Sequence, residues 1–159
     1  MTTLRGLPPR IDARAHTLIL GSFPSEASLK AQRYYAHRHN QFWRIMGALL
    51  AQPFYEMDYA ARWPHLQAAG IAVWDVYATC EREGSLDSDI RLGVANDFSV
   101  LKTLAPDLKR ICFNGQTAAK FQRLLVGLGY EVCVLPSSSP AYTLALERKL
   151  AVWQQVLRT

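Results

Sequence analysis

The sequence predicts an α/β protein with three α/β/α layers around a central, mainly parallel sheet of four strands. The first observation is a set of four short apolar runs without polar alternation, a pattern typical of strands buried on both faces. They span residues 17–20, 71–74, 110–113 and 131–135. The second observation is that helical segments separate these runs, which favours parallel strands with helices on both faces. The length of 159 residues suits a single domain over residues 1–159.

Each predicted helix is marked by apolar side chains that recur along one helical face. The second such helix is expected to start near Asn96 or Asp97 and to end before Pro106, which cannot continue it. Gly129 is suited to end the third helix. The four helical faces comprise Phe42, Ile45, Met46, Leu49 and Leu50; Phe98, Leu101 and Ala105; Ala118, Phe121, Leu125 and Leu128; and Leu146, Leu150, Trp153 and Leu157.

Sheets of this kind bind their ligands beyond the carboxyl ends of the strands. We therefore expect the functional site to be built from the segments that follow the four strands. The polar stretch between Cys80 and Asn96 is expected to be a loop near the mouth of this site. The four segments are residues 21–25, 75–79, 114–117 and 136–140.

The charge of the chain is unevenly distributed. There are 18 Lys and Arg residues against 13 Asp and Glu, which gives a net charge of +5. Residues 1–44 contain seven basic and two acidic residues, and the remainder is neutral. This asymmetry favours an anionic partner such as a nucleic acid, with a solvated basic surface as the alternative. Because no apolar run reaches the ~20 residues of a membrane span and no signal peptide opens the chain, we expect a cytoplasmic protein that does not bind membranes.

The cysteine and histidine spacings argue against a metal centre. Cys80, Cys112 and Cys133 are widely spaced and form no CxxC pair, which disfavours a disulfide framework, a zinc site and an iron–sulfur cluster. His37 and His39 have no carboxylate or cysteine nearby in the sequence. We therefore predict no metal and no cofactor. Cys112 and Cys133 lie inside apolar strand-like runs and are expected to be buried.

The first of the four segments, Gly-Ser-Phe-Pro-Ser at residues 21–25, lacks the glycines and the lysine of nucleotide-binding loops. Its tight turn can bring the backbone close to a flat ligand and ends at a helix start, where amides favour an anion. An ordinary strand-to-helix turn is the alternative. No G-x-S-x-G elbow occurs in the chain, which disfavours a serine hydrolase.

Two further segments have both a functional and a structural interpretation. Residues 34–43 interleave aromatic rings with histidines, an arginine and an asparagine, which suits a stacked base and its phosphates. Alternatively, Phe42 and Trp43 anchor the following helix in the core and Asn40 caps it. The serines of residues 136–142 could bind phosphate, or could form a plain loop with Thr143 as the N-cap of the last helix.

Taken in order, these segments resemble the uracil-DNA glycosylase superfamily. The likeness is greatest to its hypoxanthine-DNA glycosylase branch, also called DNA-deoxyinosine glycosylase, and extends from about Leu18 to the C-terminal helix. The motifs that carry it are Gly21-Ser-Phe-Pro-Ser25, Ser28-Leu29, Tyr34-Tyr-Ala-His37, Asn40, Phe42-Trp43, Trp74-Asp75, Asn114-Gly115 and Pro136-Ser-Ser-Ser-Pro-Ala141.

The resemblance implies a uracil-DNA glycosylase-like fold and a monofunctional DNA glycosylase of base excision repair. Such an enzyme hydrolyses the N-glycosidic bond of a damaged base that is flipped out of double-stranded DNA, without metal, cofactor or obligate protein partner. Hypoxanthine is the expected base, with uracil as a further candidate. A non-catalytic nucleic-acid or nucleotide-binding module on the same scaffold is the alternative.

The resemblance also implies residue roles. Asn40 is expected to be catalytic, since Phe23 occupies the place of the polar first-loop residue that other branches use. An asparagine cannot take a proton, but its carbonyl can orient water and its NH2 can donate to a base oxygen. The expected base-binding residues are Gly21, Ser22, Phe23, Pro24, Asp75 and Asn114, and the expected DNA-binding residues are Ser25, His37, Arg38, Ser137, Ser138, Ser139, Pro140, Ala141 and Tyr142.

Some of these expectations are more specific. Phe23 is expected to stack on the flipped base, and Ala141 or Tyr142 to lie near the gap that the base leaves. Asp75 either accepts a hydrogen bond from a ring nitrogen of the base or caps a neighbouring turn. The branch usually reads His-Pro-Arg-Asn where residues 37–40 of this chain read His-Arg-His-Asn, so the turn before Asn40 lacks a proline.

Overall fold

The computed structural model describes residues 2–158 of the chain. Within these residues the strands are β1 (Leu4–Arg5), β2 (Thr17–Gly21), β3 (Ile71–Asp75), β4 (Tyr77–Glu81), β5 (Arg91–Ala95), β6 (Arg110–Asn114) and β7 (Glu131–Leu135). The α-helices are α1 (Glu26–Ala31), α2 (Phe42–Leu50), α3 (Tyr59–Ala68), α4 (Leu101–Leu104), α5 (Gln116–Ala119), α6 (Gln122–Gly127) and α7 (Leu146–Leu157). Short 3₁₀ helices span Phe54–Glu56, Asp87–Asp89 and Phe98–Val100.

Strands β3, β2, β6 and β7 form the central sheet in that spatial order, and every neighbouring pair is parallel. The predicted fold class is confirmed. β2 and β3 are buried along their whole length because helices cover both faces of the sheet. Three strands extend one residue beyond their apolar runs, and the added residues are Gly21, Asp75 and Asn114. These residues therefore lie side by side at the carboxyl edge of the sheet.

Apolar cores occupy the two faces of the central sheet. Successive residues of a strand point to opposite faces, so Leu18 and Leu20 belong to one core and Ile19 to the other. Helices α4, α5 and α6 pack on the Leu18 face, and α2, α3 and α7 pack on the Ile19 face. The helices contribute Leu101, Ala118 and Leu125 to the first core and Phe42, Trp43, Trp63 and Trp153 to the second.

The start of α2 is anchored in the core, as the structural interpretation of residues 34–43 predicts. Phe42 is fully buried and Trp43 nearly so. The Trp43 ring meets the Trp63 ring edge-on at 5.3 Å, and its Nε1 donates to the Tyr34 carbonyl at 3.0 Å. The prediction that these two residues anchor the helix is confirmed.

The expectation of a plain loop between Cys80 and Asn96 is wrong. Strands β1, β4 and β5 form a second, antiparallel sheet, and β4 and β5 are the arms of a hairpin with residues 82–90 at its tip. Every residue of β5 is exposed, so no apolar alternation marks the strand in the sequence. The hairpin tip nevertheless lies where the loop was expected, because Ser85, Leu86 and Asp87 line the cavity described below.

The helix boundaries in the structure agree with the predicted ones in one place and differ from them in two. Asp97 accepts a hydrogen bond from the Ser99 amide, and α4 ends before Pro106, as predicted. The predicted third helix is divided into α5 and α6, with Gly129 following α6 at a φ of +100°. Thr143 does not cap α7, because that helix begins only after Ala145 and has no side-chain cap.

The cysteines are free thiols. Cys112 is buried as predicted, whereas Cys133 is half-buried because β7 is an edge strand of the central sheet. Among residues 2–158, no group of three His, Cys, Asp or Glu side chains is arranged to hold a metal ion. None of the helices in this part of the chain is long and apolar enough to cross a membrane.

Candidate active site

A cavity of about 270 Å³ opens at the carboxyl edge of the central sheet. Residues from the ends of all four strands meet there, as predicted. Arg38 and Pro140 are exposed and do not line the cavity. The other predicted site residues line it: Asn40, Gly21, Ser22, Phe23, Pro24, Asp75, Asn114, Ser25, His37, Ser137, Ser138, Ser139, Ala141 and Tyr142.

Gly21 provides the space in which two polar side chains approach the end of β2. A Cβ atom at this position would lie 2.6 Å from Oδ1 of Asp75 and 3.1 Å from Oη of Tyr35. The first distance is shorter than real Cβ contacts allow, so any other residue would displace the carboxyl group. The glycine is therefore required by close approach and not by an unusual backbone conformation.

Asp75 is a buried carboxyl with an unpartnered oxygen. Its side chain is 5% exposed, and Oδ2 is buried with no hydrogen-bond partner within residues 2–158. Burial, helped by the negative charge of Asp87 and opposed by Arg82, raises the pKa of Asp75 to about 7. The turn-capping alternative would require an amide partner for one of the two oxygens, and no amide within residues 2–158 donates to either. The free oxygen instead belongs to a residue that lines the cavity.

Asn114 joins the end of β6 to the segment after β7. Its Nδ2 donates to Oγ of Ser138 at 2.9 Å and to Oη of Tyr35 at 3.2 Å, while its Oδ1 accepts from the Ser138 amide at 2.9 Å. Both amide hydrogens are thus used by the protein. Only the second lone pair of Oδ1 remains for a ligand.

Asn40 lies at the entry to α2 with its two amide atoms in different surroundings. Oδ1 accepts a hydrogen bond from the Phe42 amide, the first amide of α2, at 2.9 Å, although the N-cap position of this helix is Gln41 and not Asn40. Nδ2 has no partner within the described residues, and Asn40 lines the cavity. The residue therefore has a structural contact at one atom and two unused donors at the other.

The turn that precedes Asn40 is closed without the proline usual in the branch. The Asn40 amide donates to the His37 carbonyl at 2.9 Å, and the His39 amide donates to Nδ1 of His37 at 3.1 Å. The next amide, of Gln41, donates to the Ser138 carbonyl at 2.9 Å. These bonds fix the turn and connect it to the serine segment.

Tyr35 is a cavity residue that the sequence did not single out. Its ring stacks on Phe42 at a centroid distance of 4.0 Å, and its hydroxyl accepts from Asn114. Burial raises the pKa of this hydroxyl. Tyr35 adopts a left-handed φ of +56°, and its ring lies 6.3 Å from the ring of its neighbour Tyr34. The sequence shows two adjacent tyrosines, Tyr34 and Tyr35, but nothing in it indicates which of them bonds to Asn114 in the cavity.

The hairpin tip holds the first loop, and these contacts were also missed. Oγ of Ser22 donates to Oδ1 of Asp87 at 2.6 Å. Arg82 is buried, donates from Nη2 to the Pro24 carbonyl at 2.6 Å and places its guanidinium 5.3 Å from the Phe23 ring centroid. The first loop and the hairpin tip are far apart in sequence. Their contact could have been predicted only if the β4–β5 hairpin had been recognised.

The serine segment after β7 uses its hydroxyls to hold its own backbone. Oγ of Ser137 accepts from the Ser139 amide, and Oγ of Ser139 accepts from the Ala141 amide, both at 3.1 Å. Lys149, buried on α7, donates to the Ser139 carbonyl at 3.2 Å and lies 5.4 Å from the ring of Tyr142. The segment is thus a preformed loop with Tyr142 exposed at its outer side.

Three of the basic side chains in residues 1–44 pack on aromatic rings of the protein itself. The guanidinium groups of Arg10, Arg33 and Arg44 lie over aromatic rings at 4.5, 5.4 and 4.7 Å from the ring centroids. Arg38 is exposed, one residue beyond the cavity-lining His37. It is therefore the basic residue of residues 1–44 best placed to meet an anion at the rim.

The cavity walls combine an apolar ring with separate hydrogen-bonding groups. Phe23 forms part of the wall beside unused donors on Asn40 and the carboxyl of Asp75. A flat heterocycle with carbonyl and N–H groups fits such a lining, since it presents faces for packing and edges for hydrogen bonds. The small volume suits a single base.

Comparison with known proteins gives a consistent result. The family model of the uracil DNA glycosylase superfamily matches residues 8–158. A protein from Methanosarcina acetivorans named hypoxanthine DNA glycosylase is 42% identical over 154 residues, which are 97% of this chain and 98% of that protein. A protein of the same name from Methanosarcina barkeri is 36% identical over the same shares.

The fold comparison agrees. The solution NMR structure of a candidate uracil DNA glycosylase from Methanosarcina acetivorans superimposes with a TM-score of 0.89 at 41% identity. The match covers 99% of this chain and 98% of that one. The resemblance in the motifs is confirmed along nearly the whole length, and the chain belongs to the uracil DNA glycosylase superfamily.

Proposed function

We propose that this protein is a DNA glycosylase that releases hypoxanthine from deoxyinosine in double-stranded DNA. The observation that carries the proposal is the near-full-length similarity to two proteins named hypoxanthine DNA glycosylase, in a chain whose predicted site residues line one base-sized cavity. We also propose that the protein acts in the cytoplasm, beside the nucleoid, because its proposed substrate is DNA.

The reaction breaks the bond between the sugar and the base. Flipping the base into the cavity costs a few kcal/mol, and less when the base is mispaired. The sugar then passes through an oxocarbenium-like state while negative charge develops on the departing base. The protein needs to orient one water molecule and to stabilise this charge with hydrogen-bond donors.

Asn40 is the proposed catalytic residue. The bond from the Phe42 amide to Oδ1 fixes the orientation of the side-chain amide, which supports this role. Nδ2 can then donate to an oxygen of the base, and the second lone pair of Oδ1 can accept from water. No step requires a metal ion or a cofactor.

The remaining roles follow from position. Phe23 packs on the face of the base, and Gly21 and Pro24 of the same loop bring the backbone close. The serine segment and its exposed Tyr142 face the DNA, with Ala141 or Tyr142 near the gap left by the base. The DNA backbone is contacted by the rim residues Ser25, His37, Arg38, Ser137, Ser139 and Pro140. The expected contact of Ser138 is not kept, because this residue is buried and bonded to Asn114.

A duplex carrying one labelled deoxyinosine tests the proposal. Incubation with the protein should yield free hypoxanthine by mass spectrometry and a strand break after alkali treatment. A matched duplex with deoxyadenosine at the same position should stay intact. Binding of the deoxyinosine duplex in a mobility shift, with no release of base, would contradict the proposal and favour a non-catalytic module.

A further inference from the structure

Cys112 and Cys133 form a close pair of thiols on the Ile19 face of the central sheet. They are paired with each other on the parallel strands β6 and β7, and their Sγ atoms lie 2.8 Å apart. Both are free thiols. Neighbouring strands lie about 4.8 Å apart, and a disulfide joins residues whose Cα atoms are about 4.4–6.8 Å apart. The pairing of the strands therefore already places the two sulfurs where a disulfide can form.

The two thiols differ in their access to solvent. β7 is an edge strand of the central sheet, and Cys133 on this strand is half-buried. Cys112 lies on the inner strand β6 and is fully buried. A small oxidant that arrives from solvent therefore meets the sulfur of Cys133 first, with the sulfur of Cys112 directly beside it.

The two thiols also differ in how readily they ionise. The hydrogen bond between the sulfurs and the positive charge of Arg110 lower the pKa of Cys133, against the opposing effect of its partial burial. The same hydrogen bond and the deeper burial of Cys112 raise the pKa of that thiol. Because the thiolate is the reactive form of cysteine, Cys133 is the nucleophile of the pair and Cys112 is its protonated neighbour.

The third cysteine is neither accessible nor easily ionised. Cys80 lies on β4 in the antiparallel sheet and is fully buried. Burial raises the pKa of its thiol. A cysteine that responds to oxidants is typically accessible, has a lowered pKa and lies beside a second cysteine that resolves its oxidised form. Cys133 and Cys112 together meet these conditions, and Cys80 provides an internal control.

We propose that Cys133 and Cys112 form a site of reversible oxidation by peroxides, with Cys133 as the attacking thiol and Cys112 as the resolving one. The Cys133 thiolate attacks one oxygen of hydrogen peroxide and breaks the O–O bond. This step leaves a sulfenic acid on Cys133 and releases hydroxide, which a proton from solvent converts to water.

The second step closes the disulfide. The Cys112 thiol attacks the Cys133 sulfur and forms the S–S bond, and its proton leaves with the hydroxyl group of the sulfenic acid as a second water molecule. The two thiols lose two electrons in total, and one peroxide molecule gains them. A thiol reductant reverses the reaction by thiol–disulfide exchange.

The disulfide would fix the edge strand that carries the serine segment. β7 has a neighbouring strand on one side only, and residues 136–142 follow it directly. An edge strand opens locally by separating from its neighbour, and a covalent link between the two strands prevents this separation. Oxidation should therefore slow hydrogen exchange at the amides of β7. Unchanged exchange in the oxidised protein would overturn this consequence.

The test uses the reduced full-length protein without DNA, so its outcome is independent of the proposed function. The protein is treated with hydrogen peroxide at a concentration that oxidises a cysteine-containing peptide, and the remaining thiols are then alkylated in urea. We expect alkylation at Cys80 alone, and a linkage between the peptides of Cys112 and Cys133 with the loss of two hydrogen atoms. Dithiothreitol should restore alkylation at all three cysteines. Alkylation of all three after peroxide, or oxidation of Cys133 without a link to Cys112, would overturn the proposal.

Three variants assign the roles of the two thiols. In Cys112→Ala the resolving thiol is absent, so a sulfenic acid should persist on Cys133 and react with dimedone. In Cys133→Ala the oxidation of Cys112 should be at least about tenfold slower than in the wild type. Cys80→Ala is the matched control and should form the disulfide at the wild-type rate. Equally fast oxidation of Cys112 in the wild type and in Cys133→Ala would contradict the assignment of the attacking thiol. Circular dichroism of each variant verifies the fold.

Discussion

The side-chain amide of Asn40 has an acceptor, Oδ1, and a donor, Nδ2, and the two atoms make different contacts in this structure. Oδ1 accepts from the first amide of α2, and Nδ2, which has no partner among the described residues, belongs to a side chain that lines the cavity. Asn40→Ala should lower the single-turnover rate at least about tenfold, or about 1.4 kcal/mol of transition-state stabilisation. The lost hydrogen bond to the Phe42 amide should cost about 1 kcal/mol of folding stability as well.

Asn40→Asp is the stability control for this experiment, since its carboxylate can still accept from the Phe42 amide. Thermal unfolding should show that Asp restores most of the stability that Ala loses. Full activity of folded Asn40→Ala would mean that the residue only holds the start of α2 and would remove it from the mechanism.

A substitution at Gly21 tests whether the close approach of Asp75 to this residue matters for stability and activity. In Gly21→Ala the new Cβ would lie 2.6 Å from Oδ1 of Asp75, so the carboxyl must move. Overpacking of this kind typically costs about 1–3 kcal/mol, and we expect hypoxanthine release to fall with it. Both are measurable by urea denaturation and by single-turnover assays.

Gly127→Ala is the matched exchange at the end of α6, where a Cβ meets no atom within 4 Å. This variant should be at least as stable as the wild type, because alanine favours helix by up to about 1 kcal/mol over glycine. Equal behaviour of the two variants would show that the approach of Asp75 to Gly21 has no consequence.

Among the structural elements, the β4–β5 hairpin positions the first loop. Arg82 connects the two through its bond to the Pro24 carbonyl and its contact with Phe23. Arg82→Ala should destabilise the protein by about 1–3 kcal/mol, because a buried carbonyl loses its partner. The amides of residues 21–25 should then exchange hydrogen faster.

Arg91→Ala is the control in the same hairpin. Arg91 is exposed and donates to the Ser88 and Ile90 carbonyls, which remain open to solvent. Its removal should leave exchange in residues 21–25 unchanged. If Arg82→Ala also leaves that exchange unchanged, the hairpin does not hold the loop.

The elements that could be predicted are those buried on both sides. β2, β3 and β6 are visible in the sequence because a strand between two helix layers consists of apolar residues. The edge strand β7 is only partly buried, but its apolar run is visible as well. The hairpin was missed because β5 is exposed at every position and leaves no periodic signal. Helix α3, which packs on the Ile19 face of the sheet, was not predicted either. It contains Pro64, and a proline in a sequence normally indicates the end of a helix.

The candidate site could be predicted where it follows from topology, and not where it depends on contacts between distant segments. Gly21, Asp75 and Asn114 directly follow apolar runs, so their meeting at one edge is a consequence of parallel strands. The position of the Tyr35 side chain depends on a left-handed backbone conformation, and no glycine at this position indicates that conformation in the sequence. Asp87 reaches the first loop across 65 residues of chain, which no local pattern encodes.

For the whole molecule, the prediction concerns the salt dependence of DNA binding. Each neutralised phosphate contributes about −0.9 to the slope of log affinity against log salt concentration, and we expect a slope on the order of −3 to −5 for undamaged duplex. Arg38→Gln should flatten this slope by up to about one unit. Arg44→Gln should change it less, because that guanidinium packs on the Tyr55 ring.

The measurement is fluorescence anisotropy with a labelled duplex over a series of salt concentrations. The identity of the released base should be the same in both variants, since phosphate contacts do not read bases. Equal slopes for the wild type and Arg38→Gln would show that Arg38 faces solvent in the complex. The serine segment would then be the main contact with phosphate.

The central claim is that the cavity of this molecule binds and releases hypoxanthine by hydrolysis alone. The most direct measurement compares single-turnover rates on matched duplexes that contain deoxyinosine or deoxyuridine, in buffer with EDTA. We predict that hypoxanthine is released at a rate unaffected by EDTA, and that uracil is released more slowly or not at all. Robust uracil release without hypoxanthine release would assign the chain to another branch, and a loss of activity in EDTA that zinc or magnesium restores would contradict the mechanism.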